Sequence, residues 1–388
     1  MQKKYVIISI LVLLIIACNS NKRKEVENII KDFEVEKVQD KREVVFNIDA
    51  VCKQGKLVLK GETSEAVLKN QLFDELKSIV FSDSVIVLPD ASVGENKFGI
   101  VTVPVANMRA TPSHSSELVT QAVLGTPVKI LKNRDGWYYI QTPDKYISWV
   151  DAAEIFPADT FIFQEWKSSE RIIFTGINGL IFKDTDLDSP ISDVTLGSIL
   201  QKKESNNRWI KVCFPDGRTG FTPPKDWIDF SAFVNQKYPN PDEIVLRAKQ
   251  LTGCSYLWGG TSAKAMDCSG FVKTVYFING LILARDASLQ ATHGKEITLN
   301  ETQSGDLLFF GRQATENLEA KITHVALSLG GTEFIHASGF IKQNSFNSAS
   351  KIYSEYRKNS FIKALRIINF EDEGIQLVKN HPWYWNSF

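Results

Sequence analysis

The chain opens with a sharp division between polar and apolar residues. Two lysines near the start are followed by an apolar run from Tyr5 to Ala17, which ends abruptly at Cys18. A short positive segment followed by such a run is typical of a secretion signal, because the run is too short to cross a bilayer core of about 30 Å. We therefore expect residues 1–17 to be a signal peptide and the protein to act after export.

The end of this run, Ile15-Ile16-Ala17-Cys18, resembles a bacterial lipobox, in which a small residue precedes the cysteine. The resemblance implies that Cys18 is lipidated and anchors the mature protein to a membrane of the cell envelope. An ordinary cleaved signal with an incidental Cys18 is the alternative. Residues 18–42 are polar and charged, which is the composition expected of a tether behind such an anchor.

A small α/β pattern follows over residues 43–95. Alternating apolar positions predict strands at Glu43–Ile48, Leu57–Lys60 and Ser84–Leu88, and a helix-like stretch at Ser64–Ile79. The pattern resembles the small α/β module called BON. We favour the simpler interpretation, a packing domain without chemistry of its own.

The next part of the chain repeats itself. Residues 96–157 and 158–235 share positions at a constant offset of 72 residues. The matched pairs are Leu124-Gly125 with Leu196-Gly197, Trp137 with Trp209, Pro143-Asp144 with Pro215-Asp216, and Trp149 with Phe221. A constant offset indicates duplicated units, and short strands between Gly, Asn and Asp turns predict a small β-barrel in each.

Three segments of the first copy, Asn107–Ser113, Gly125–Val128 and Gly136–Ile140, resemble the bacterial Src-homology-3 domain. The second copy matches less well at its start. The resemblance implies that the barrels target the protein to cell-wall peptide or shape its binding.

The candidate chemistry lies in residues 240–370. Apolar residues follow Cys268 at helical spacing, at Phe271, Val272, Val275 and Tyr276. Asp267 suits the cap, so we predict a helix that begins at Cys268. The positive end of a helix and a neighbouring imidazolium favour the thiolate, which makes Cys268 a candidate nucleophile. A buried structural cysteine is the alternative, and it is the interpretation we give Cys254.

Two histidines fall in one predicted hairpin. Residues 323–329 alternate polar and apolar side chains and predict a half-buried strand that carries His324. A two-residue loop would place His336 on the opposite face. A three-residue loop that pairs Ser328 with Thr332 sets His336 opposite His324, and we predict this register. His324 could then take the thiol proton while His336 orients the other ring nitrogen.

The order and spacing of these segments resemble the NlpC/P60 cell-wall peptidases. The segments are Tyr256–Gly260, Asp267–Phe271, Gly305–Phe310, Thr323–Val325 and Ile335–Ala337. The resemblance implies a papain-like α+β fold, the triad Cys268, His324 and His336, and an oxyanion role for Tyr256. It also implies hydrolysis of the γ-D-glutamyl to diamino-acid bond of peptidoglycan stem peptides.

Members of that family with two preceding Src-homology-3 domains resemble enzymes that require a free N-terminal L-Ala. This implies that Asp267 holds the substrate amine, although helix capping alone would also explain the residue. Ser269 and Ser288 are candidate substrate contacts on the same basis. An aromatic residue of the first barrel, Trp137 or Tyr138, is the candidate that closes the pocket.

Composition narrows the function further. Lys+Arg 45 balance Asp+Glu 45, and the absence of a basic excess argues against nucleic acid as a partner. The spacing of the five cysteines suggests neither a disulfide scaffold nor a zinc site, although pairing stays open. We see no phosphate loop and no metal constellation, and expect no cofactor.

These patterns predict a multidomain protein. A small N-terminal α/β module precedes two small β-barrels and a C-terminal papain-like α+β catalytic domain. Residues 371–388 form an aromatic tail, which we expect to pack against a domain. Two other functions stay open: a non-catalytic wall-binding lipoprotein, and a related thiol acyltransferase or cross-link endopeptidase.

Overall fold

The computed structural model describes residues 21–236 and 239–385. The chain forms two compact units, Met1–Gly94 and Glu95–Phe388. The predicted signal peptide and Cys18 lie outside the described residues. Within the described ranges, no helix has both the length and the apolar composition that crossing a bilayer requires.

The first unit is a three-stranded sheet with helices. Helix α1 covers residues 21–37. The elements after it are β1 (Phe46–Lys53), β2 (Lys56–Thr63), α2 (Ala66–Glu75), β3 (Ser82–Val87) and a 3-10 turn at Ala91–Val93. Strands β1 and β2 pair antiparallel, and β2 and β3 pair parallel. The order of strands and helix after residue 43 therefore matches the sequence pattern, and the likeness to BON stays a prediction.

Helix α1 occupies most of the stretch predicted to be a tether. Val26, Ile30 and Phe33 recur at helical spacing, and all three are buried in the core of the first unit. An apolar stripe among charged residues lets an amphipathic helix pack against a core. The tether prediction is therefore wrong for residues 21–37, because it weighed polar composition and overlooked the helical period.

The second unit begins with a seven-stranded antiparallel sheet, here called the first sheet. Its strands are β4 (Phe98–Val101), β5 (Val105–Arg109), β6 (Leu118–Val123), β7 (Pro127–Arg134), β8 (Trp137–Gln141), β9 (Ile147–Asp151) and β10 (Ile155–Ala158), with a 3-10 turn at Ala152–Glu154. The strand order is β10-β4-β7-β8-β9-β5-β6. Helix α3 (Thr160–Ser168) connects it to the next sheet.

The second sheet repeats this arrangement. Its strands are β11 (Arg171–Phe174), β12 (Asn178–Phe182), β13 (Pro190–Thr195), β14 (Ile199–Ser205), β15 (Ile210–Cys213), β16 (Thr219–Thr222) and β17 (Trp227–Asp229), followed by α4 (Phe230–Val234). Its order is β17-β11-β14-β15-β16-β12-β13. Each strand of the first sheet has a counterpart about 72 residues later in the chain, and that counterpart has the same position in the strand order of the second sheet. The sequence repeat is therefore also a repeat of topology.

The two sheets meet where the repeat places a glycine. Gly125 has a φ of +80°, and a Cβ on it would lie 2.0 Å from the carbonyl oxygen of Ile199. The backbone N–H of Ile199 donates to the carbonyl of Leu124 at 2.9 Å. Only glycine permits both the left-handed conformation and this close approach.

The rest of the second unit is an α+β module, here called the C-terminal module. Its helices are α5 (Pro241–Gln250), α6 (Cys268–Ile278), α7 (Ala287–Gln290) and α8 (Glu355–Ser360), with 3-10 turns at Leu299–Glu301 and Val378–Asn380. Its strands are β18 (Thr261–Ser262), β19 (Ala265–Met266), β20 (Leu281–Leu283), β21 (Lys295–Ile297), β22 (Leu307–Arg312), β23 (Lys321–Gly330), β24 (Glu333–Ser338), β25 (Phe340–Ser345), β26 (Phe361–Arg366) and β27 (Ile375–Leu377). Six strands form the main sheet in the order β21-β26-β22-β23-β24-β25.

Helix α6 packs against β23 and β24 of this sheet and forms the core with them. The aromatic tail joins the same core, since Tyr384 is buried and its ring lies 5.6 Å from that of Phe277. The prediction that the tail packs against a domain is confirmed for the residues described.

Candidate active site

The candidate nucleophile lies at the start of α6, as predicted. Helix α6 begins at Cys268, and the side chain of Asp267 accepts a hydrogen bond from the backbone N–H of Gly270 at 2.7 Å. The capping prediction for Asp267 is therefore confirmed. Phe271 and Val272, one turn on, are fully buried and fix the helix against the sheet.

Cys268 as a whole residue is only 7% exposed. Burial raises the pKa of Cys268 to about 11, and the Asp267 carboxylate adds to this. Hydrogen bonds from the backbone N–H groups of Val325 and Ser269 lower the pKa, but they do not offset the loss of solvent. Burial therefore acts against the effect of the helix end, which was the only one of the two that the sequence pattern could indicate.

The two predicted histidines meet on one face of the hairpin β23–β24. The Nε2 of His324 and the Nδ1 of His336 are 2.7 Å apart. Burial lowers the pKa of His324 well below its ordinary range and that of His336 to about 4. Both rings are therefore neutral at neutral pH.

The hairpin reaches this geometry by another register than the one predicted. Gly330 pairs with Glu333, so the loop has two residues, and the pairing shifts between Ser328 and Gly330 at a β-bulge. After the bulge Ser328 lies opposite Phe334, not opposite Thr332 as predicted. The bulge adds one residue to β23 and so restores the parity that a two-residue loop would have lost.

Asn344 fixes which ring nitrogens carry protons. Its Nδ2 donates to the carbonyl of Ile352 at 2.9 Å, so its Oδ1 faces the Nε2 of His336, also at 2.9 Å. An amide oxygen only accepts, so His336 donates from Nε2 and its Nδ1 becomes an acceptor. His324 must then donate from Nε2 to that Nδ1. This leaves the Nδ1 of His324 unprotonated, which is the state a general base needs.

Tyr256 reaches the same site from the loop before α6. Its backbone N–H donates to the carbonyl of Gly339 at 3.0 Å. Burial raises the pKa of the phenol to about 12, and the charges of Cys268 and Asp267 contribute to the rise. The phenol is therefore a proton donor at neutral pH within electrostatic reach of the thiol.

Asp267 is engaged by a buried arginine. Arg285, 1% exposed, donates from Nη2 to Oδ2 at 2.6 Å and from Nη1 to Oδ1 at 3.2 Å. Oδ1 also accepts from Ser269 and Oδ2 from the backbone N–H of Gly259. Burial lowers the pKa of Arg285, but the attraction of Asp267 outweighs this and leaves it raised. The carboxylate is thus well satisfied without a substrate.

The first sheet reaches this network through β6. Thr120 accepts from the Nε of Arg285 at 2.9 Å, and Gln121 accepts from the backbone N–H of Thr261 at 3.0 Å. Just before β6, Glu117 accepts from the indole of Trp258, which is 64% exposed, at 2.8 Å. The edge of the first sheet therefore borders the loop that carries Tyr256.

The other predicted substrate contacts lie in different surroundings. Trp137 is buried within the first sheet, with its ring 4.9 Å from that of His114, and Tyr138 is half-buried beside it. Ser269 is buried in the network of Asp267, and Ser288 lies half-buried in α7. Their roles in substrate binding stay predictions.

A further cation lies close to the two histidines. Arg357, half-buried in α8, donates to the hydroxyl of Ser338 at 3.3 Å. Its guanidinium carbon is 5.5 Å from the centre of the Phe310 ring, which in turn is 5.8 Å from the ring of His324. Burial lowers the pKa of Arg357, and the charges of Tyr356, Cys268 and Tyr256 act against that. Its guanidinium therefore lies within electrostatic reach of the thiol.

Comparison with known families identifies this module. Residues 253–366 match the NlpC/P60 family, and they include Cys268, both histidines and Tyr256. The C-terminal module is an NlpC/P60 domain. Residues 108–155, within the first sheet, match the bacterial dipeptidyl-peptidase Sh3 domain. For residues 21–236 and 239–385, no group of three or more His, Cys, Asp or Glu side chains is arranged to hold a metal ion.

Individual proteins are similar to larger or smaller parts of this chain. Dipeptidyl-peptidase 6 of Lysinibacillus sphaericus is 28% identical over 269 residues, which cover 67% of this chain and 94% of the relative. The γ-D-glutamyl-L-lysine dipeptidyl-peptidase of Bacillus subtilis is 38% identical over 104 residues, 27% of this chain and 34% of the relative. A solved NlpC/P60 family protein from Bacillus cereus superposes with a TM-score of 0.59 at 19% identity and covers 69% of this chain and 99% of its own. The last similarity shows that the fold is shared.

Three residues of the NlpC/P60 domain were not predicted in the roles that the structure gives them. The sequence patterns gave no role to Arg285, Asn344 or Arg357. Each meets the site through tertiary contacts, such as the hydrogen bond between Arg285 and Thr120, which lie 165 positions apart. The sequence offered one usable signal, the arginine in the segment before Ser288.

Proposed function

We propose that this protein is a cysteine peptidase that hydrolyses the γ-D-glutamyl to diamino-acid bond of peptidoglycan stem peptides. The observation that carries the proposal is the chain of hydrogen bonds from Asn344 through His336 to His324, on the strand next to the Cys268 thiol. That arrangement supplies a base of defined tautomer beside a nucleophile at a helix start. It lies in an NlpC/P60 domain, and relatives bear the name γ-D-glutamyl-L-lysine dipeptidyl-peptidase.

The proposed reaction starts from the neutral pair. The Nδ1 of His324 takes the thiol proton as the sulfur of Cys268 attacks the scissile carbonyl. The phenol of Tyr256 and the backbone N–H of Cys268 then donate to the oxyanion, a role that suits donors already in place before reaction. His324 returns the proton to the leaving amine, and water hydrolyses the thioester by the same route in reverse.

We further propose that the preferred substrates carry a free N-terminal L-Ala. The edge of the first sheet borders the loop that holds Tyr256, through Gln121 and Glu117. A sheet edge that closes one end of a substrate cleft favours a peptide whose N-terminus lies at that end. In addition, the relatives named dipeptidyl-peptidases are named for release of a dipeptide. In this proposal the amine shares the carboxylate of Asp267 with Arg285, near Ser269 and Ser288.

Export and anchoring complete the proposal. Peptidoglycan lies outside the cytoplasm, and an NlpC/P60 peptidase acts there. Cys18 is proposed to carry the lipid after removal of residues 1–17. The second sheet is proposed to be a second Src-homology-3-like domain, because its strand order repeats that of the first.

The experiment that tests this incubates the purified protein with L-Ala-γ-D-Glu-diaminopimelate and with its N-acetylated form. The nucleophile control is Cys268→Ala, and the matched thiol control is Cys254→Ala, a half-buried cysteine of the same module. Release of L-Ala-D-Glu from the free peptide alone, dependent on Cys268, supports the whole proposal. Cleavage of both forms keeps the peptidase and removes the amine requirement. The absence of any Cys268-dependent product would overturn the proposed activity.

A further inference from the structure

Arg357 differs from the neighbouring arginines of the C-terminal module in its partners. Arg285 is paired with Asp267, and Arg366 donates to both oxygens of Asp306, at 3.0 and 2.9 Å. For Arg357, the described part of the chain supplies no carboxylate in an ion pair. Its guanidinium contacts the hydroxyl of Ser338 and the faces of two aromatic rings.

A half-buried arginine without a carboxylate partner is suited to bind an anion. The planar guanidinium has five N–H donors and pairs with a carboxylate through two parallel hydrogen bonds. Partial burial strengthens such a pair, because less water competes for the donors. Stacking on Phe310 and Tyr356 holds the side chain in place without neutralising its charge. The structure therefore presents an oriented, uncompensated positive charge.

The position of Arg357 indicates which part of a substrate it meets. Its hydrogen-bond partner Ser338 ends β24, the strand that carries His336, and Phe310 pairs with His324 across the sheet. The histidine that removes the thiol proton must deliver it to the leaving amine, so the leaving residue lies on the histidine side of Cys268. Arg357 is on that side.

We propose that Arg357 binds a carboxylate of the leaving diamino acid and thereby selects stem peptides that present it. The inference rests on the proposed peptidase activity and deepens it. When the diamino acid ends the peptide, its α-carboxylate is attached to the same carbon as the departing nitrogen. Diaminopimelate carries a second carboxylate at the far end of its side chain. Both sources offer the same chemistry, a planar anion close to the leaving amine.

The test separates these sources with three peptides that share the sequence L-Ala-γ-D-Glu. One ends in L-Lys, one in L-Lys amide, and one in diaminopimelate whose α-carboxyl is amidated. Binding is measured by calorimetry to the Cys268→Ala protein, with or without Arg357→Gln, and kcat and KM are measured for the enzyme that retains Cys268. The matched control is Lys358→Gln, which removes one exposed positive charge from the same helix.

We expect the acid ending in L-Lys to bind about 10- to 100-fold more tightly than its amide, which is the range of a charge-assisted hydrogen-bonded pair. Arg357→Gln abolishes this preference, Lys358→Gln retains it, and Arg357→Lys restores part of it because it keeps the charge but not the fork. Tight binding of the amidated diaminopimelate peptide, lost in Arg357→Gln, would assign the side-chain carboxylate instead of the α-carboxylate.

Two results would overturn the inference. The first is equal binding of the L-Lys acid and its amide by the Cys268→Ala protein, together with binding of the amidated diaminopimelate peptide that Arg357→Gln does not weaken. With cleavage by the intact enzyme retained, this result leaves the peptidase activity standing. The second is a preference for the acid that survives Arg357→Gln. If the enzyme that retains Cys268 cleaves none of the three peptides, the proposed function is contradicted. The binding data would still decide the role of Arg357.

Discussion

Two arginines flank the candidate nucleophile, and their surroundings differ. Arg285 is fully buried and shares its charge with Asp267 through two hydrogen bonds, while Thr120 of the first sheet accepts a third. Arg357 is half-buried, stacked on aromatic rings, and without a carboxylate partner among the described residues. One arginine near Cys268 therefore stabilises the fold through an ion pair, and the other keeps donors available for a ligand.

We expect the largest effect from removing Asp267, the ion-pair partner of Arg285. Asp267→Asn leaves a buried guanidinium without its counter-charge, and we expect the free energy of unfolding to fall by about 3–5 kcal/mol. Urea denaturation measures this. Asp286→Asn is the control, because Asp286 is partly exposed and lies 4.0 Å from Arg285, and it should cost less than about 1 kcal/mol. Equal stability of the wild type and Asp267→Asn would show that the pair is not structural.

The thiol between the two arginines provides the second test. With its pKa raised to about 11, the thiolate population of Cys268 increases with pH up to that value. At pH 8 we expect alkylation by iodoacetamide to be roughly 100-fold slower than for a thiol of ordinary pKa. Mass spectrometry follows the modification of Cys268 against the exposed Cys52 in the same sample. Rapid alkylation that is already constant at pH 6 would instead indicate a thiolate–imidazolium pair.

Asn344 tests whether the hydrogen bonds around the two histidines set their tautomers. Asn344→Leu removes the acceptor that orients His336, so the base tautomer of His324 is no longer enforced. We expect kcat to fall about 10- to 100-fold, with little change in KM. This is less than the full contribution of general-base catalysis, about 100- to 10,000-fold, because His324 itself remains. Nitrogen NMR of the ring of His336 should show the tautomer shift directly. Gln343→Leu, at the neighbouring position of β25, is the control, and an unchanged kcat in Asn344→Leu would contradict the relay.

The smallest effect is expected where the first sheet supports Arg285. Thr120→Val keeps the shape of the side chain but removes the acceptor for the Nε of this arginine. We expect a loss of about 1–2 kcal/mol in stability, measured by thermal unfolding, since one donor loses its partner and the ion pair with Asp267 persists. Thr195→Val, at a similar buried position of the second sheet, tests whether the cost is specific to Arg285. A larger loss in Thr195→Val than in Thr120→Val would argue against a special role for Thr120.

Much of the fold could be predicted from sequence because its signals are local or repeated. The offset of 72 residues anticipated two sheets, and the structure gives them the same strand order. The start of α6 followed from Asp267 and the apolar spacing after Cys268. In residues 21–37 the polar composition suggested a tether, whereas the helical spacing of the apolar residues indicated a packed helix. The spacing was the better guide.

The details of the site could not be read in this way. The bulge between Ser328 and Gly330 depends on how β23 pairs with its neighbours, and the protonation of Cys268 depends on burial by the whole module. Arg357 and Asn344 reach the site from strands and helices that follow the recognisable motifs. A pattern along the chain records none of these contacts, because each is decided by the packing of distant segments.

The protonated state of Cys268 has a consequence for durability. Peroxide and related oxidants convert thiolates to sulfenic acid much faster than they attack thiols. At the proposed location outside the cytoplasm, no glutathione or thioredoxin pool would reduce an oxidised sulfur. By keeping the sulfur buried and protonated, the fold limits such damage. Burial of the sulfur, and not the helix start, supplies this protection.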